Sequence, residues 1–209
     1  MNPCEKKPSI IYWLGNNIYV NITNKCSNSC YFCFRKFKNG IQDFNLKLEK
    51  EPTAEEVMGE LRKIINRRNW SEVVFCGFGE PLERLDIVLE VTKRVKKKYW
   101  KPVRINTNGQ GCLLNKGRDV VRELKETGVD KVNVSLNAHN KKIYNQICKP
   151  VFEDAYENVI EFIKKVKEKG LEIEATSVSI PEIKISKVKE IAKQIGVKFS
   201  VREYVAFFW

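Results

Sequence analysis

The segment IYVNITNKCSNSCYFCFRK, residues 18 to 36, decides how the chain is read. Residues 18 to 23 form an apolar, β-branched run that reads as a strand, and Cys26, Cys30 and Cys33 follow it on a carboxyl-end loop. A structural zinc ion normally takes four protein ligands, whereas three thiolates from one short loop leave a coordination position open. Soft thiolates suit iron–sulfur clusters as well as zinc, and a four-iron cubane held by three cysteines keeps one iron for a ligand that is not protein. The competing readings are a zinc site completed by His139 or Cys76, and plain surface thiols.

Outward from that segment, similar runs recur at 72 to 77, 103 to 109, 131 to 137, 171 to 179 and 197 to 204. Between them lie segments of helical period at 53 to 68, 82 to 98, 117 to 127, 151 to 169 and 186 to 195. Thr53 with Glu56 is a capping-box signal, and Gly170 is placed to end the longest helix. Strands that alternate with helices predict a parallel sheet, because parallel neighbours need a crossover of helical length. A doubly wound sheet and a partial barrel both fit that order, and in either one ligands collect at the carboxyl ends of the strands. GFGEP (77 to 81), NTNG (106 to 109) and SLNAHN (135 to 140) close the second, third and fourth strands, so they converge with the cysteines on one rim.

With 209 residues, 43% hydrophobic and 11% aromatic, and no Pro/Gly/Ser-rich linker, the chain reads as a single domain over 1 to 209. No stretch reaches the roughly 20 apolar residues that span a bilayer, and the start lacks the apolar region of a secretion signal, which predicts a cytoplasmic protein away from membranes. Seven cysteines, an odd number, suit ligands in a reduced compartment better than disulfides. The net charge of +12 admits an anionic partner such as nucleic acid. Much of it lies in TKRVKKKYWK and EFIKKVKEKG, where lysines read as the solvated faces of amphipathic helices.

C-x3-C-x2-C, with Phe32 before its third cysteine and GFGEP after the next strand, resembles the radical S-adenosylmethionine (SAM) superfamily. The resemblance implies a partial (β/α)6 TIM-type barrel of parallel strands. It implies a [4Fe-4S] cluster on Cys26, Cys30 and Cys33, and SAM on its open iron. With an external electron donor, such a cluster cleaves SAM to a 5′-deoxyadenosyl radical that takes hydrogen from a substrate. Phe32 then neighbours the adenine. Gly77, Gly79 and Glu80 form the glycine-rich motif toward the SAM amino group, and Asn106, Asn108, Ser135 and Asn137 match positions that bond its ribose and carboxylate.

YWLGNNIYVNITNKC, RINTNGQG, VSLNAHNKKIYNQICKP and VREY look like the TatD-associated radical SAM proteins, which implies a TatD-type hydrolase as partner. The short chain leaves little for a lid, so closure is expected from residues 40 to 52 or from an anionic or macromolecular substrate. Cys4, Cys76, Cys112 and Cys148 lack ligand spacing, His139 could move a proton, Arg202 and Glu203 could orient a ligand, and Tyr204, Phe207, Phe208 and Trp209 form an aromatic tail. The alternatives are a zinc-dependent nucleic-acid-binding module, an electron-transfer protein and, within the class, a glycyl-radical activase or a deazapurine-type synthase.

Overall fold

The computed structural model describes residues 7 to 204; Cys4 and the tail residues Phe207, Phe208 and Trp209 lie outside the described residues. Strands β1 (Ile11–Leu14) and β2 (Asn17–Val20) form an antiparallel hairpin turning at Gly15, where φ is +57°. A small hairpin, β3 (Gly40–Ile41) and β4 (Phe44–Asn45), precedes helix α1 (Ala54–Ile65). Then come β5 (Glu72–Phe75), α2 (Leu85–Tyr99), β6 (Val103–Thr107), α3 (Gly111–Leu114), α4 (Val120–Thr127) and β7 (Lys131–Ser135). The chain continues through α5 (Lys141–Cys148), α6 (Ala155–Glu168), β8 (Glu172–Ser179), α7 (Ile185–Ile195) and β9 (Lys198–Glu203).

The main sheet runs β1-β2-β5-β6-β7-β8-β9, parallel except at β1. All six expected strands are present, and the antiparallel β1 is an addition. The parallel strands follow chain order without reversal. Right-handed crossovers then stack every helix on one face. This is the arrangement of a partial barrel, and it removes the doubly wound alternative, which needs a point where strand order reverses. Among the described residues β1 and β9 each pair on one side only, which leaves the barrel open.

Alternation within the strands builds the two faces. Ile18, Val20, Val73, Phe75, Val103, Ile105, Val132, Val134, Ile173 and Ala175 point to the helices and share one core with Val57, Leu61, Val88, Val91, Leu124, Val159 and Phe162. Each of these valine, leucine, isoleucine and phenylalanine side chains, fully buried, contributes on the order of 1.5–3 kcal/mol. Their neighbours Arg104, Asn106, Lys131, Asn133, Ser135, Glu174 and Thr176 line the other, concave face in matched rows. Deeper on that face Arg104 pairs with Glu72 at 2.6 Å and Lys131 with Glu174 at 2.9 Å.

The capping box forms as expected: the Thr53 hydroxyl accepts the Glu56 N–H, and the Glu56 carboxylate accepts the Thr53 N–H. Gly170 does follow α6, but that helix starts only at Ala155, because residues 149 to 151 are tied to the cysteine loop. The longest helix is α2, with 15 residues. Helix α5, with Asn140 as its N-cap, is too short for its Tyr144, Ile147, Cys148 stripe to stand out in sequence. Among the described residues no helix is long and apolar enough to cross a membrane.

Residues 40 to 52 are a fixed part of the fold. Leu46 and Leu48 are buried, Phe44 packs on Tyr12 and Trp13, and Asn24 holds the Leu48 backbone through both ends of its carboxamide. The buried Asn21 carboxamide joins three segments, donating to the Ser9 and Leu46 carbonyls and accepting from the Phe78 N–H. Replacing it leaves those groups unpaired in the interior. Asn21→Ala is expected to lower the unfolding free energy by about 2–3 kcal/mol, measured by urea denaturation.

Candidate active site

The expected strands run about two residues too far at their carboxyl ends. The ladders stop at Val20, Phe75, Thr107 and Ser135, and the residues set free there carry the site. Asn137 takes a left-handed conformation, φ +57°, uncommon for a residue with a side chain and tolerated best by asparagine among them. Its backbone is held to β8: its N–H donates to the Thr176 carbonyl, and the Ser177 hydroxyl donates to its own carbonyl.

GFGEP packs against the root of the cysteine loop. A Cβ on Gly77 would sit 2.2 Å from Asn21 Oδ1, and one on Gly79 would sit 2.2 Å from the Lys25 carbonyl oxygen, so both positions require glycine. The Glu80 N–H donates to that same Lys25 carbonyl at 2.8 Å. The Glu80 side chain, buried, accepts from the Thr107 hydroxyl and the Asn108 N–H at 2.7 Å each, and from the Leu82 N–H at 3.1 Å. One carboxylate thus splices the second strand's loop to the third's.

The third loop in turn holds the cysteines. Asn108 Nδ2 donates to Ser27 Oγ at 2.9 Å and lies 3.9 Å from Cys26 Sγ, while Gln110 Nε2 donates to Asn28 Oδ1 at 2.7 Å and to the Tyr144 hydroxyl at 3.0 Å. On the other side the loop docks on the end of α5. The Ser29 N–H donates to the Cys148 carbonyl, Tyr31 to Ile147, and Val151 back to Ser27. The Cys30 thiol meets the Cys148 thiol, whose sulfur also accepts from Asn137 Nδ2 at 3.7 Å. Inside the loop, Arg35 donates through Nε to Cys33 Sγ at 3.2 Å and through its other nitrogens to the Asn24 and Asn28 carbonyls.

The rim therefore brings together Cys26, Cys30, Cys33, Gly77, Gly79, Glu80 and Asn108 directly, and Asn137 through Cys148. Asn106 and Ser135 sit on the concave face instead. Asn106 Oδ1 accepts from Arg104, and Ser135 Oγ accepts from Arg202, which also reaches the Thr176 hydroxyl. Phe32 is half-buried, edge-on to Tyr31. His139 lies beside Lys184 and Lys187, and Cys76 lies beside Asn106 and Tyr12. Among the described residues no three His, Cys, Asp or Glu side chains gather around a point that could hold a single ion.

Sequence reasoning missed Asn28, Arg35, Gln110, Tyr144 and Cys148 as parts of this site. The only signal was polar residues placed beside the motifs, which burial alone makes meaningful.

Burial pushes the Cys26 thiol up to about 12, with the Glu80 charge adding to it. The hydrogen bond with Cys148 and burial drive Cys30 up as well. Burial also raises Glu80 from 4.5 to about 7. Below 4.5 the folded and unfolded chains are both protonated there. Between 4.5 and about 7 the folded chain holds the extra proton, so stability falls as pH rises, and above about 7 the full cost persists, up to about 3 kcal/mol. Relative to Glu80→Gln, the cluster-free wild-type protein should lose stability across that window in urea melts at stepped pH.

The Radical SAM superfamily model matches residues 20–195. The probable GTP 3′,8-cyclase of Methanocaldococcus jannaschii is 30% identical over 192 residues, 90% of this chain and 59% of that protein. Its counterpart in Thermococcus kodakarensis is 32% identical over 149 residues, 71% of this chain and 43% of that protein. The chain thus spans about half the length of these relatives. Among solved structures, Streptococcus suis SuiB bound to S-adenosylmethionine superposes with a TM-score of 0.68 at 18% identity, over 91% of this chain and 40% of that one. TYW1 with a lysine-pyruvate adduct gives 0.64 at 16%, over 93% and 66%. Those likenesses carry the fold alone, and the family match carries the lineage: the chain belongs to the Radical SAM superfamily.

Proposed function

We propose that residues 1 to 209 act as one catalytic core domain in which Cys26, Cys30 and Cys33 hold three irons of a [4Fe-4S] cluster and the fourth iron binds SAM. When reduced by an external one-electron donor, such a cluster supplies a 5′-deoxyadenosyl radical that abstracts hydrogen from the substrate. The observation that carries this reading is a loop of three thiols pinned from three sides, by GFGEP, by NTNG and by the end of α5, where Asn137 in turn holds Cys148.

The residues present fit such a ligand pair. The thiol set is soft and leaves a position open. Gln110 Oε1 and Asn137 Oδ1 are buried acceptors without a partner, the kind of atom that a bound ligand's N–H or O–H completes. Gly77, Gly79 and Glu80 support SAM through the loop that they fix, because the Glu80 carboxylate is already engaged by the chain. Phe32, Asn106, Asn108, Ser135 and Asn137 complete the SAM contacts in this reading. Arg202 stands free of any carboxylate partner among the described residues, which leaves a cation on the concave face for an anionic group.

The relatives' names make a purine nucleotide, GTP, the first substrate to test, ahead of a glycyl-radical activase role. Residues 40 to 52 are pinned to the mouth of the barrel, and an anionic or macromolecular substrate would help to exclude water. A TatD-type hydrolase enters as partner on sequence resemblance alone. A cytoplasmic setting suits the free thiols.

Anaerobically reconstituted protein is expected to hold iron and sulfide, to change its paramagnetic spectrum on adding SAM, and to form 5′-deoxyadenosine after reduction. Cys30→Ala should abolish that product. Zinc without sulfide would restore the nucleic-acid-binding module, and product formation by Cys30→Ala would overturn the assignment.

A further inference from the structure

Each cysteine of the triplet has a hydrogen-bonding neighbour of its own, and the three neighbours come from different parts of the fold. Asn108, after β6, aims Nδ2 at Cys26 from 3.9 Å while anchored on Ser27. Arg35, inside the loop, aims Nε at Cys33 from 3.2 Å, and its charge is felt by all three sulfurs. Cys148, fully buried at the end of α5, neighbours Cys30, whose flanking Ser29 and Tyr31 N–H groups donate to the Cys148 and Ile147 carbonyls.

The third contact has a direction. The Cys148 sulfur accepts from Asn137 Nδ2 at 3.7 Å, and because a cluster-bound Cys30 carries no proton, Cys148 is the partner left to donate between the two sulfurs. Asn137 is kept in its left-handed conformation by two hydrogen bonds with β8. The loop is fastened to residues 147 to 151 by backbone hydrogen bonds, so Cys30 and Cys148 cannot drift apart without breaking them. In sequence Cys148 is one of the stray cysteines, 118 positions from Cys30.

We propose that Asn108, Cys148 and Arg35 are positioning residues that hydrogen-bond the three cluster thiolates one apiece, spreading their negative charge and raising the reduction potential of the cluster. This rests on the assignment of the cluster to Cys26, Cys30 and Cys33. The physical basis is general: hydrogen bonds to cluster sulfurs stabilise the more negative, reduced state, and outer partners fix ligand orientation. Asn137 acts one step further out, by orienting the Cys148 proton.

The test is a mediated redox titration of the reconstituted protein followed by its paramagnetic signal, with iron counted first. Arg35→Gln and Cys148→Ala should each hold a full cluster and shift its midpoint to lower potential, while Cys148→Ser, which keeps a donor, should return it toward wild type. Unchanged midpoints in fully loaded variants would overturn the proposal while leaving the cluster assignment intact. Wild-type protein that takes up no iron and sulfide would overturn both.

A second measurement covers variants that fail to load. Diamide takes two hydrogens from a pair of adjacent thiols and is itself reduced to the hydrazine. In cluster-free wild-type protein it should link Cys30 to Cys148 in the peptide map. A map in which Cys30 pairs elsewhere or stays free would remove Cys148 from the donor set.

Discussion

Residues 21 to 33 belong to no helix or ladder, yet much of this segment is buried at the mouth of the barrel. Buried backbone and side-chain polar groups need partners, and without a ladder those partners must come from elsewhere. Asn21, Asn24, Arg35, Glu80, Asn108, Gln110 and Arg84 supply them, several through side chains that are themselves buried. The rest of the site depends on this satisfaction. A loop that had to search for its conformation could not present three sulfurs together, and the two glycines of GFGEP exist to let the second loop come close enough to lock it.

The electrostatics run against the same economy. Burial makes the Cys26 thiol a poor acid, the Cys148 contact and burial do the same for Cys30, and burial makes Glu80 hold its proton to about neutral pH. Ligation would release protons from the cysteines, which couples assembly of the site to pH. Arg35 eases that change from within the loop, where its aliphatic stem and charged head are half-buried and its guanidinium also lies over the Phe78 ring. The concave face is different in kind. Its lower rows are neutralised by ion pairs, whereas among the described residues Arg202 near the strand ends is held by hydroxyls.

Much of this was legible in the sequence. The period-two runs and the helical segments between them marked six strands and their order, because alternation in VRINT and KVNVS mirrors a core face and a solvated face. The cysteine spacing and GFGEP marked the superfamily. The strand ends were misjudged by about two residues because the terminal polar residues still fit an extended pattern. What removes them from the ladder is a partner supplied by another loop. Helix α5 was missed for a related reason: eight residues give too few turns for periodicity to show.

By itself the sequence determined the parallel α/β class, the three closely spaced thiols and the rim on which the motifs lie, since periodicity, spacing and chain order are local properties. The tertiary structure decided the rest: the barrel over the doubly wound sheet, the glycines as packing sites, Glu80 as a splice between loops, and Cys148 beside Cys30. Those are relations between segments as far as 118 residues apart, set by which buried groups can satisfy one another, and no local pattern encodes them.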